Sequence, residues 1–208
     1  LYGSTAKVGE PLVSNRFPLS RLKWLEDNNL STGQFDYNSS LTTDLARINS
    51  KRASLGQSNL SESDLIQKTF GLRWNSGNYR WDYCGSTGAT LKDTIMTLEE
   101  VANENREPNF FELLKAGILS GSLGLATSSN RLTTDSVQFS KDFQIFRIGA
   151  SAIDQVKSDS FPTRIAYDVL GFPWIACGVQ RLPFISRWTQ VPIRNTNATN
   201  NATLTPAD

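Results

Sequence analysis

The chain has 208 residues, of which 38% are apolar, 10% aromatic and 20% charged, a globular composition at a length that can bury a real core. Its 21 Lys and Arg oppose 20 Asp and Glu, so the net charge of +1 offers no basic excess for a nucleic-acid partner. There are no histidines, which removes Ser-His-Asp, Cys-His and His-zinc chemistries together.

Residues 1–17 are punctuated by Gly, Ser and Pro and read as an N-terminal arm, opening on Leu1 with no basic and apolar leader pattern. A processed protein or an internal piece of a longer one is expected. The uncharged stretch 169–179 is far short of the roughly 20 residues that span a bilayer, so this segment is expected to make no membrane contact of its own. A single globular domain is expected over 18–194, helical over 18–157 with a small β part over 161–193, and an Asn/Thr-rich linker over 195–208.

Within the domain, Leu22 and Leu25 place a short helix over Leu19–Asn28, entered through Pro18. Leu45 and Ile48 give a second helix over Thr43–Leu55. A third starts at Ser61, whose hydroxyl can cap free amides, carries Leu65, Ile66 and Phe70, and stops at Gly71. Residues 72–90 break this pattern with Trp74, Tyr79, Trp81 and Tyr83 among Gly, Asn and Ser, which reads as an aromatic loop or hairpin.

Helical signals return over Thr90–Asn105, where Thr97 and Glu100 have capping-box spacing, and end at Glu107-Pro108. Asn109 and Glu112 then frame a helix over Phe110–Ser120, with Gly117, Gly121 and Gly124 near its end. The strongest periodicity is a long buried helix over Asp135–Val156, with Phe139, Phe143, Phe146, Ala150 and Ile153 on one stripe. Thr163–Val169 and Trp174–Gln180 flank Gly171 and Pro173 as a β-hairpin, with Leu182–Ile193 as a third short strand. The expected fold is therefore α+β and mainly α-helical, a helical body followed by a small antiparallel sheet.

Four sets of residues are candidates for chemistry. Asp154, Asp159 and Asp168, with Ser158 and Ser160, offer oxygen ligands that suit calcium, although the spacing is not an EF-hand and turn chemistry is the plainer reading. No other cofactor is indicated. Trp74, Tyr79, Trp81 and Tyr83 are an interaction surface for a partner protein or a sugar, or else rings covering the helical body. Cys84 and Cys177 are too few for zinc and are either two buried thiols or a disulfide, which would contribute about 4 to 5 kcal/mol and suit an oxidising compartment. Sequons stand at Asn29, Asn38, Asn59, Asn197 and Asn201.

No phosphate-binding glycine loop or nucleophile elbow occurs, and neighbouring carboxylates such as Glu99 and Glu100, or Glu104 and Glu107, read as solvated helix faces rather than acid-base pairs. A histidine-free hydrolase using paired carboxylates ranks last. The expectation is a protein that is not an enzyme.

Three stretches carry a family likeness: REPNFFELLKAGILSGSLG at 106–124, DFQIFRIGASAIDQVKSDSFPTRI at 142–165 and GVQRLPFISRW at 178–188. With FPLSRLKWLEDNN near the start, they resemble the Verru_Chthon cassette protein A family of Verrucomicrobia and related bacteria. The likeness spans about residues 17–193 in the same order. Members are much longer, and their partner genes encode proteins with prepilin-like N-termini. A fainter similarity is to the minor pseudopilin K of type II secretion, although Ala152-Ile153-Asp154-Gln155 departs from that pattern.

The resemblance implies a structural or assembly protein of a pilus-like or secretion-related system in the cell envelope, periplasmic or at the extracellular surface. Its partners would be other subunits of such a cassette or filament, including further copies of itself. The alternative from the residues is an extracellular glycan-binding, adhesin-like module using the aromatics at 74–83.

Overall fold

A computed structural model of the chain describes residues 16–27, 35–119, 141–159 and 161–180. It is an α+β protein in which helices pack around one small four-stranded sheet. The arm before Arg16, the third strand over Leu182–Ile193 and the linker over 195–208 lie outside the described residues, as do the sequons at Asn29, Asn197 and Asn201.

The first turn of structure, Leu19–Leu25, is a 3-10 helix rather than the α-helix expected to Asn28. Pro18 gives no side-chain cap, and Leu22 and Leu25, three apart, suit a three-residue period. Phe17, expected in the arm, instead packs edge-on against Phe70 and tilted against Phe110. Helix α1, Ser39–Ser54, begins earlier than Thr43 because Asn38 caps it, accepting from the Leu41 amide and donating to the Lys23 carbonyl. Asn38 is buried in that role, so its sequon is a folding device in this structure. Asn59 is exposed.

Helix α2, Glu62–Phe70, follows the expected script, with Ser61 and Asp64 in a reciprocal capping box and Gly71 left-handed at φ 75°. The aromatic segment is a hairpin of β1, Leu72–Asn75, and β2, Arg80–Tyr83. Of the run expected to be helical from Thr90, only α3, Leu98–Asn103, is helical. The reason is Lys92: its amide donates to the Tyr83 carbonyl at 2.9 Å and its carbonyl accepts from the Asp168 amide at 2.8 Å. These two bonds tie Lys92 to β2 and β3 in place of helical bonding, and a bend at 93–94 follows before the Thr97–Glu100 capping box starts the helix.

Helix α4, Phe110–Leu119, and helix α5, Lys141–Val156, pack so closely that a side chain at Gly149 would overlap the Phe111 ring. Phe146, Ala150 and Ile153 of the expected stripe are buried, Phe143 is partly so, and Phe139 lies outside the described residues. Strands β3, Arg164–Val169, and β4, Phe172–Cys177, form the second hairpin. Pro173 sits inside β4, opposite Asp168, which an edge strand tolerates.

The sheet is not the separate antiparallel unit expected after the helices. Its order is β1-β2-β3-β4, with β2 parallel to β3 in the register Trp81–Ile165 and Asp82–Ala166. Helices α3, α4 and α5 form the long connection that a parallel pair requires. Rings weld the layers: Tyr83 lies 4.8 Å from Phe146, and Phe146 lies 4.9 Å from Tyr167, all fully buried.

Candidate functional site

The aromatic hairpin obeys a period of two. Leu72 faces Tyr83 and Trp74 faces Trp81 across the strands, so all four project from one side of the sheet towards the core. Trp74 and Trp81 meet edge to face at 5.2 Å, and Phe35 closes on both at 5.3 and 4.7 Å. On the other side, Asp82 accepts from Asn75 at 2.7 Å and pairs with Arg80 at 2.9 Å. The expected four-residue surface is thus mostly core: Trp81 is 3% exposed and Tyr83 1%, Trp74 is half-buried, and only Tyr79, at the turn with φ 48°, is exposed.

The loop from α5 to β3 is held by one buried carboxylate. Asp154 accepts from the Thr163 amide at 2.9 Å and the Thr163 hydroxyl at 2.6 Å, with Gln180 donating at 3.3 Å. Lys157 pairs with Asp159 at 3.0 Å and donates to the Phe161 carbonyl and the Thr163 hydroxyl, each at 3.3 Å. Gln180 also donates to the Phe161 carbonyl at 2.6 Å. Ser158 ties the loop back to Glu26 after the 3-10 helix. Burial pushes the Asp154 carboxyl above the ordinary carboxylate range, with the Thr163 hydrogen bonds pulling the other way.

This geometry corrects the cation-site expectation. Asp154 and Asp159 are brought together, but around Lys157 and Gln180, which fill the role a cation would have. Asp168 lies at the far end of β3, roughly 13 Å of strand beyond Arg164, where its carboxylate accepts from the Gly171 amide at 3.2 Å and closes the hairpin turn. Among the described residues no group of Cys, Asp or Glu side chains is disposed to hold a metal ion.

The disulfide is likewise absent. Cys84 is buried and Cys177 exposed, and both are free. Cys84 follows the last residue of β2, whereas Cys177 pairs with Arg164 at the opposite end of β3. Strand rise and spacing put them roughly 15 Å apart, against a ceiling of about 7 Å between Cα atoms for a bridge.

Between the hairpin and the loop lies a cleft of about 340 Å³. Its walls are Phe35, Trp74 and Tyr79 on one side and Phe161, Pro162 and Arg164 on the other, with Lys157 and Thr163 behind them. Phe161 is exposed, and Arg164 is exposed at the mouth with no ion pair among the described residues. The carboxylates near the cleft already have donors, so what it offers a ligand is apolar and aromatic surface with a cationic rim.

Sequence reasoning missed Phe161, Pro162 and Arg164 as a wall, because only the parallel β2–β3 pairing brings position 161 beside position 79. It also missed Arg106, whose guanidinium forks onto buried Glu112 at 2.8 and 2.6 Å and also engages Glu104. The Asn109–Glu112 capping pair was visible, but its third member was not. No family model matches the chain, and neither does any curated protein or solved structure.

Proposed function

We propose that the chain is a non-enzymatic assembly module of a pilus-like or secretion-related cell-envelope system, acting through protein contacts at the cleft between the aromatic hairpin and the α5–β3 loop. The observation that carries this reading is the chemistry of the cleft. Asp159 and Lys157 of its lining hold each other and Arg80 is held by Asp82, while Tyr79 and Phe161 stand exposed beside it. Exposed aromatics over a half-buried ring cluster are what protein interfaces use as anchors. The three family-like stretches supply the envelope setting, and the partners would be subunits with prepilin-like N-termini.

The glycan-binding alternative is weakened. It requires Trp74 and Trp81 as stacking platforms, and Trp81 is buried beneath Phe35 and Trp74.

The test is a photo-crosslinking amino acid placed at Phe161 in the full-length parent protein in its native cell, followed by fractionation. The expected product is a cross-link to a pilin-like envelope subunit or to another copy of the parent. A parent found in the cytoplasm, or no envelope cross-link at Phe161 while an exposed control site such as Leu55 behaves identically, overturns the proposal.

A further inference from the structure

We propose that the Leu170–Phe172 tip of the β3–β4 hairpin docks into the aromatic cleft of a second copy of this chain, so that copies associate head to tail. This deepens the assembly reading above and rests on it.

The tip is an unusual surface. Leu170 is 62% exposed and Phe172 68%, two large apolar side chains flanking Gly171. Leu170 also holds a left-handed backbone at φ 55°, followed by Gly171 at φ 88°. A turn of this hand favours Asn or Gly at both positions, so a leucine here is selected neither by the turn nor by burial. Nothing in the described fold covers either side chain.

The cleft supplies the matching receptor. Its walls of Trp74, Tyr79, Phe161 and Pro162 are apolar, and its volume of about 340 Å³ is many times that of one water. Charge agrees as well. Arg164, at the cleft mouth, has no ion pair among the described residues, and Asp168, just behind the tip, accepts from the Gly171 amide and carries no cation. Docking a tip into a neighbour's cleft brings these two unpaired charges of opposite sign towards one another.

The topology decides the form of the assembly. Strand β3 starts at the cleft, at Arg164, and ends at the tip, just before Leu170. Six residues of strand separate them by roughly 20 Å, and they face opposite ways. One copy cannot fill its own cleft. A contact between two different patches on opposite ends of a molecule leaves each complex with one free tip and one free cleft, and adds copies in line.

The experiment is sedimentation velocity on the whole chain over a wide concentration range. The weight-average mass is expected to climb with concentration without settling at a closed oligomer. The paired change Leu170→Asn with Phe172→Ser removes the knob at positions where no core packing is lost, and Tyr79→Asn with Phe161→Ser removes the receptor. Each doubly substituted chain is expected to weaken self-association by about tenfold or more while melting no lower than wild type. Mixed together, the two are expected to form a 1:1 complex and nothing larger, because one intact tip and one intact cleft remain. Arg164→Glu, at an exposed position, is expected to weaken association further.

A wild-type chain that stays monomeric, a knobless chain that associates like wild type, or a mixture that forms no complex overturns head-to-tail docking. If the chain is monomeric while Phe161 still cross-links to another envelope subunit, self-docking falls and the assembly reading stands. If neither is seen, both fall.

Discussion

Asp154 near the end of α5 accepts both the amide and the hydroxyl of Thr163, nine residues further on, at 2.9 and 2.6 Å. This one carboxylate fixes where β3 begins and therefore where Phe161 and Arg164 stand relative to the hairpin. Its removal leaves Thr163 donors and the Lys157 charge short of a partner in a buried place. Asp154→Ala is expected to cost about 2 to 4 kcal/mol, read from urea unfolding. Asp154→Asn keeps an acceptor for Thr163 and is expected to cost about 1 kcal/mol.

The two proteins also differ in pH dependence. Burial raises the Asp154 carboxyl in the folded state, so the folded form binds this proton more tightly than the unfolded chain. Ionising it costs stability above the raised pKa, and that cost fades as pH falls towards the ordinary carboxylate value. Asp154→Asn carries no such dependence. Wild type is therefore expected to gain on the variant between about pH 7 and about pH 4, and urea midpoints at the two pH values that move the other way would refute the linkage.

Gly178 continues the β4 strand, donating to the Thr163 carbonyl at 2.9 Å, and lies flat against α5. A Cβ there would overlap the Asp154 Oδ2 atom and the Ala150 carbonyl. Backbone and a locked carboxylate do not move aside as a flexible side chain does. Gly178→Ala is expected to lose about 1 to 3 kcal/mol. Gly117→Ala, with open space around its helical position, is expected to gain up to about 1 kcal/mol.

Leu170 offers a stabilising change. At φ 55° a leucine pays for a left-handed backbone, and its side chain is exposed and returns nothing within the fold. Leu170→Asn is expected to raise stability by about 1 kcal/mol, seen as a higher melting temperature. A variant that melts lower would mean that Leu170 packs on something within the chain, and the docking tip would lose its basis.

What could be read in advance was local. Ser61 at one end of α2 and Gly71 at the other, Thr97 with Glu100, and Asn109 with Glu112 all announce helix ends through contacts three or four residues apart, and each stands as expected. The pairing of Trp81 with Ile165 has no such signal, because its partners are separated by three helices. Everything that depends on it was therefore missed: the mixed sheet, the bridging of Lys92 between Tyr83 and Asp168, and the cleft wall at Phe161. The aromatic surface failed for a subtler reason. Leu72, Trp74, Trp81 and Tyr83 share one strand face, so a period of two already puts them together on the buried side, leaving Tyr79 of the turn as the exposed ring.

The two thiols give a test of the sheet register itself. Burial first, and the nearby Asp82 second, push the Cys84 thiol upward, while Cys177 is exposed at the other end of the sheet. An upward-shifted, buried thiol offers little thiolate and little access, so Cys84 is expected to alkylate at least about 100-fold more slowly than Cys177 at neutral pH. The intact mass should show one adduct on the native chain and two in denaturant, with no change on reduction alone. If reduction instead adds two hydrogens to the native mass, Cys84 and Cys177 are bridged, and a bridge requires their Cα atoms within about 7 Å. The width of one intervening strand, β3, and most of its length separate them in the register found here, so that outcome would break the β2–β3 pairing on which the cleft depends.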